Sequence, residues 1–128
     1  MTYEYFRNAL IRHADKMNET TFYFKNNPTD RVSVLPDICI IGYIPTMPPM
    51  LSQLTTDPAT WQPRINPRPY WAGDGCDCDH GADFETADEL LNAPIYGGKS
   101  IKELWDSVEV LTLGGYDIDV WIRQFGGA

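Results

Sequence analysis

The chain has 128 residues with ten Lys and Arg against 18 Asp and Glu, a formal net charge of −8 and a pI near 4.5. That balance argues against a free-standing nucleic-acid binder, which needs a basic face to neutralise phosphates. A content of 43% hydrophobic and 12% aromatic residues is too rich for a disordered chain.

At this length roughly two-thirds of the unfolded surface can be buried, so one compact domain over 1–128 is expected. The longest nearly pure apolar run, 38–44, is far short of the roughly 20 residues of a membrane span. The opening MTYEYFRNALIR lacks the pattern of a secretory signal. A soluble cytoplasmic protein with no membrane partner is the expectation.

In chain order, Tyr3, Phe6, Leu10, Ala14 and Met17 recur at three- and four-residue spacing. They predict an amphipathic helix over 2–17 with Thr2 as N-cap and Arg7, Asn8, Arg12 and Asp15 on its wet face. The β-branched and aromatic run 20–25 predicts a strand, 26–30 a turn, and 31–35 with 37–44 a second strand region interrupted by Pro36. The segment 45–69 holds seven prolines and reads as an extended connection. A strand over 67–72 follows, for which Pro67 and Pro69 favour a sheet edge or the strand's start.

Thr86 with Glu89, and Ser100 with Glu103, have capping-box spacing and predict short helices over 87–92 and 101–106. The alternating VEVLTL at 108–113 predicts a half-buried strand, Gly114-Gly115 a turn, and 117–125 either a helix or a strand. Together these elements predict an α+β fold with a mainly antiparallel sheet, an N-terminal amphipathic helix, short C-terminal helices and a metal-bound loop. Three stretches divide it: 1–44 with the helix and strands, the proline-rich 45–69, and an acidic module over 70–128.

Charge separates along the chain. Residues 1–70 carry seven basic and six acidic side chains, whereas 71–128 carry three basic and twelve acidic ones, a net of −9. Seven of those carboxylates lie between Asp74 and Glu89.

Within that stretch, Cys76, Cys78 and His80 alternate in a loop flanked by Gly73, Gly75 and Gly81. Two thiolates and an imidazole suit zinc, alternation aims all three one way in an extended segment, and glycine permits the tight backbone. A structural tetrahedral site needs a fourth ligand, for which Cys39 is the first choice and Asp74, Asp79, Asp83 and His13 are substitutes. The plainer alternative makes Cys39 a small core side chain and the other two exposed loop thiols. Three cysteines fit a disulfide framework badly, and a Cys76–Cys78 bridge would close a strained ring.

Other constellations are weaker. The alternating carboxylates from Asp77 to Glu85 suggest calcium, but a glycine stands where an EF-hand loop wants an oxygen ligand and Asp88 occupies the place of the bidentate Glu. Gly97-Gly98-Lys99-Ser100 lacks the first glycine of a phosphate loop, because position 93 is Ala93. His13 sits beside the apolar stripe and reads as packed, and no nucleophile elbow or HExxH motif occurs. Zinc held by three protein ligands could activate water, which leaves a metal-dependent hydrolase as an alternative.

The stretch FETADELLNAPIYGGKSIKELWDSVEVLTLGG at 84–115, with PYWAG at 69–73, resembles a module of small acidic proteins from phages and mobile elements. With the small size, the acidic half and the Cys/His cluster, the chain is similar to zinc-containing type II anti-CRISPR proteins. The resemblance implies an inhibitor without catalytic activity that works in the host cytoplasm. It would hold a zinc ion and bind a CRISPR-associated RNA-guided DNA nuclease, not nucleic acid itself. An acidic surface for which Asp83, Glu85, Asp88 and Glu89 are the candidate residues would then fill a cationic groove and keep target DNA out. A zinc-stabilised structural or regulatory protein with another partner is the competing expectation.

Overall fold

The structure, a computed structural model, describes residues 1–25, 38–74, 81–96 and 98–126. The predicted turn at 26–30 and the strand at 31–35 lie outside them.

Thr2 accepts a hydrogen bond from the Tyr5 amide and starts α1 (Tyr3–Arg12), which buries Phe6, Ala9 and Leu10. The predicted stripe continues to Met17, but the helix does not. His13 leaves helical geometry, a single 3₁₀ turn follows at Ala14–Lys16, and Met17 enters the core from the connection. The reason lies in the next element: Glu19 takes a positive φ of 67° to turn the chain into β1 (Thr20–Phe24), which a helix running to residue 17 would leave no room to do.

β1 is paired on one side with β2 (Cys39–Tyr43) and on the other with β7 (Val108–Leu113), both antiparallel. β2 continues to β5 (Tyr70–Asp74), β5 to β6 (Ala82–Phe84), and β7 to the short β8 (Tyr116–Asp117). The result is a six-stranded sheet in the order β6-β5-β2-β1-β7-β8, antiparallel throughout. The predicted strand at 67–72 therefore begins at Tyr70, after both prolines, and lies inside the sheet instead of at its edge. Its prolines need no ladder amides there, so they limit only where the strand starts.

Alternation sets the two faces. Phe22 and Phe24 of β1, Cys39 and Ile41 of β2 and Ala72 of β5 point into a buried core that also takes up Leu90, Leu91, Ile101, Leu113 and Trp121. The opposite face carries Thr21, Tyr23, Ile40, Trp71, Asp83 and Glu109, all half-buried or exposed. Trp71 lies across Gly42, where any Cβ would collide with the indole and with the Asn18 side chain.

The proline-rich segment is not a plain extended connection. β3 (Thr46–Met47) pairs with β4 (Arg64–Ile65) in a separate ribbon capped by the short α2 (Leu51–Leu54) and a 3₁₀ turn at Pro58–Thr60. Ile44 donates its amide to Pro69 and Asn66 to Pro45, so the excursion closes on itself and returns the chain to the sheet.

α3 (Ala87–Asn92) follows β6, with Thr86 as its N-cap as the spacing indicates, and carries the chain across the core face. The second capping pair forms too, since Ser100 Oγ accepts from the Glu103 amide at 3.1 Å. It caps only a turn followed by a 3₁₀ turn at Trp105–Ser107, not a helix over 101–106. Leu104 closes one α-type turn onto the Ser100 carbonyl, after which Trp105 and Ser107 bond three residues back, to Lys102 and Leu104, and tighten the chain into 3₁₀ geometry. Gly114 and Gly115, at φ 57° and 82°, make the two-residue turn of the β7–β8 hairpin, and the ambiguous last segment is α4 (Ile118–Phe125).

Leu10 is wholly enclosed and stands at the centre of the α1 stripe. Leu10→Ala should lower unfolding stability by about 2–5 kcal/mol in chemical denaturation. A loss below about 0.5 kcal/mol would show that α1 is peripheral to the core.

Candidate functional site

The acidic surface is built where edge strand β6 runs into α3. Asp83 pairs in register with Trp71 and projects on the open face of the sheet. Two residues on, Glu85 is also exposed. Glu89, in the first turn of α3, is exposed and bonded, with its carboxylate accepting the Glu85 amide at 3.1 Å while its own amide goes to Thr86. The strand-to-helix corner thus leaves Asp83, Glu85 and Glu89 exposed, with the Glu89 carboxylate held by the Glu85 amide and its negative charge favoured by the helix N-terminus.

Asp88 does not belong to that open set. Arg7, predicted on the wet face of α1, grips it with two parallel bonds, Nε to Oδ1 at 2.7 Å and Nη2 to Oδ2 at 3.0 Å. This fork joins α1 to α3. Arg7 holds the Asp88 carboxyl below its ordinary range through that hydrogen bond and its charge, with Lys102 adding to the effect against a smaller opposing cost of burial. The same Asp88 charge, after burial, contributes to holding the Tyr3 phenol protonated above its usual range. Sequence spacing could not reveal the pair, because its members are 81 residues apart and only the packing of two helices brings them together.

On the open face, Glu109 is likewise engaged: the Tyr23 hydroxyl donates to its carboxylate, which raises the Tyr23 pKa. Thr21 and Thr112 share a hydrogen bond at 2.7 Å beside it. Trp71 Nε1 is buried and finds no hydrogen-bond acceptor among the described residues.

Of the residues assigned to zinc, Cys76, Cys78 and His80 lie outside the described residues. Cys39 is on β2 with no exposure, enclosed in the core, and stands opposite Asp74 in the β2–β5 register. Register therefore places Cys39 beside the last residue of β5, close in sequence to Cys76, while its burial also suits the plainer role of a core side chain. Among the described residues no group of three His, Cys, Asp or Glu side chains is gathered to hold a metal. Of the substitute ligands, His13 is remote from that end of the sheet, with its ring edge-on to Trp121 at 5.8 Å.

No known protein family, characterised protein or solved structure matches the chain. The likeness of 84–115 to phage and mobile-element proteins thus rests on those residues alone. Among the described residues no helix is long and apolar enough to cross a membrane.

The Arg7–Asp88 fork has a pH signature. Because the folded-state pKa of Asp88 is depressed, the stability its charge contributes is present above the ordinary carboxylate pKa of about 3.9 and is lost as pH falls through the folded value. Asp88→Asn should lower the melting temperature at neutral pH, with the gap to the parent closing as pH falls below about 4. A gap that stays constant down the titration would show that the Asp88 charge contributes nothing.

Proposed function

We propose that the protein is a non-catalytic inhibitor that binds a type II CRISPR-associated RNA-guided DNA nuclease through its acidic edge and excludes target DNA. The observation that carries this reading is the exposure of Asp83, Glu85 and Glu89 within seven residues where edge strand β6 runs into α3. A nuclease that holds a guide heteroduplex in a cationic channel offers a groove of opposite sign, and exposed carboxylates can occupy it in place of phosphates. Blocking of that kind needs no turnover, so inhibition follows stoichiometry. The nuclease, not the nucleic acid, is the partner.

Asp88 is best removed from the candidate binding set. Reversing its charge would break the fork that joins the two helices and confuse folding with binding. Asp83, Glu85 and Glu89 remain as the proposed contact carboxylates, and of these Glu89 also supports the entry to α3.

A zinc ion held by Cys76, Cys78 and His80 is part of the proposal, with Cys39 as fourth ligand supported by its position opposite Asp74. Its role would be structural, fixing the loop between β5 and β6 and so the approach to the acidic corner. The alternative, a zinc-stabilised regulatory protein with another partner, draws on the same Cys39 register.

The deciding experiment measures nuclease cleavage of target DNA against added protein, together with zinc content by elemental analysis. The parent should inhibit at about one equivalent and carry close to one zinc per chain, and Cys76→Ser should lower the metal content. The combined variant Asp83→Lys, Glu85→Lys and Glu89→Gln, which keeps a hydrogen-bond acceptor at 89, should require at least about tenfold more protein for the same inhibition while retaining its fold. Equal inhibition by parent and variant would overturn the acidic-edge reading. One equivalent of zinc with no inhibition of any nuclease would favour the alternative, and zinc below about a tenth of an equivalent would remove the metal from both.

A further inference from the structure

A second site lies on the far side of the molecule, between α1 and α4, and its chemistry is opposite in sign to the acidic corner. A cavity of about 330 Å³ opens there, within the lower range of small-molecule sites, which runs from roughly 300 to 1,000 Å³. Its floor is Trp121, wholly buried. Around the indole stand three rings: Tyr5 at 6.5 Å and 78°, His13 at 5.8 Å and 84°, and Phe125 at 5.7 Å and 62°. The mouth carries Asn8 and Arg12, both exposed.

Two features define what such a cavity takes. First, the polar groups at its depth are already occupied: Trp121 Nε1 donates to the Lys16 carbonyl at 2.9 Å, and the Tyr5 hydroxyl donates to the Gly126 carbonyl. Gly126 permits that approach, since any Cβ there would meet the Tyr5 oxygen. The depth of the cavity therefore offers no free donor and favours an apolar ring over a hydroxylated one, whose lost hydration only the Tyr5 oxygen, as an acceptor, would answer.

Second, no carboxylate lines the cavity in a chain of net charge −8, and Arg12 makes no ion pair among the described residues. An uncommitted guanidinium above an aromatic slot matches a planar carboxylate in charge and in bidentate geometry. The neighbouring His13 edge and Asn8 amide add polar contacts at the same level.

We infer that the α1–α4 cavity is a binding site for a small aromatic carboxylate, with its ring against the Tyr5, His13 and Phe125 rings that cover Trp121 and its carboxylate on Arg12. The site is separate from the acidic corner and does not depend on nuclease binding. Arg12 sets the preference for an anion, and the occupied donors of Trp121 and Tyr5 set the preference for an unsubstituted ring.

The test is a titration of the ¹⁵N-labelled protein followed by amide and indole shifts, with 2-naphthoate, its neutral amide 2-naphthamide and 6-hydroxy-2-naphthoate as probes. Naphthoate should move the signals of Ala9, His13, Gly126 and the Trp121 indole, and bind more tightly than either of the other two. Arg12→Gln should weaken naphthoate by about tenfold and leave the amide unchanged, which separates lost recognition from lost folding. Three outcomes would each overturn the inference: no shift at about 1 mM naphthoate, shifts clustered away from α1 and α4, or equal weakening of acid and amide in the variant.

Discussion

The fold turns on two successive carbonyls, those of Lys16 and Met17, and the buried indole and hydroxyl that answer them. Thr20 Oγ1, with no solvent exposure, donates to the Met17 carbonyl at 2.6 Å and accepts the Gly114 amide at 3.0 Å, while the Trp121 indole donates to the Lys16 carbonyl. One short segment therefore joins the end of α1, the start of β1, the β7–β8 turn and α4. Gly114 is required at that junction twice, once for its positive φ and once because any Cβ would collide with the Lys16 carbonyl. A buried polar cluster with every member paired is costly to disturb, because each broken bond leaves a partner stranded away from water.

Both candidate sites are consequences of that junction. By pinning α4 under α1 it leaves the aromatic slot above Trp121, with Arg12 at its rim where α1 ends. By fixing β1 in the centre of the sheet it sets the order of strands outward through β2 and β5 to β6, the edge that carries the acidic corner. The Arg7–Asp88 fork then ties α1 to α3 directly, so one face of α1 supports the acidic corner and its last turn supports the cavity. The two charges of the molecule are thereby kept apart, with carboxylates presented at β6 and α3 and an uncommitted cation presented between α1 and α4.

Local signals in the sequence are legible where local chemistry decides the outcome. Thr86 and its hydroxyl fix the start of α3, VEVLTL matches β7 residue for residue, and the apolar stripe identifies Phe6, Leu10 and Met17 as core. Elsewhere tertiary context decides, apart from 101–106, where the capping pair forms but the chain tightens into a 3₁₀ turn. The helix over 2–17 stops at Arg12 because the backbone must meet Thr20 and Gly114, which lie far off in sequence. The prolines of 45–69 read as extended chain, yet β3 and β4 find each other across the sixteen residues 48–63. Asp88 carries the same local signature as Glu89, and only the position of Arg7 separates an internal clamp from a surface charge. The α1–α4 cavity had no sequence signature, since Arg12 reads as one wet-face residue and Trp121 as one apolar residue of an ambiguous segment.

The central claim, that the β6–α3 corner is the contact surface, is tested most directly by hydrogen exchange of the full chain with and without a stoichiometric type II nuclease. Slowed exchange is expected at Ala82–Phe84 and in the first turn of α3, with the α1–α4 cavity unchanged. Slowed exchange confined to the β3–β4 ribbon, where Leu51 and Ile65 are more than four-fifths exposed, or no change anywhere, would contradict it.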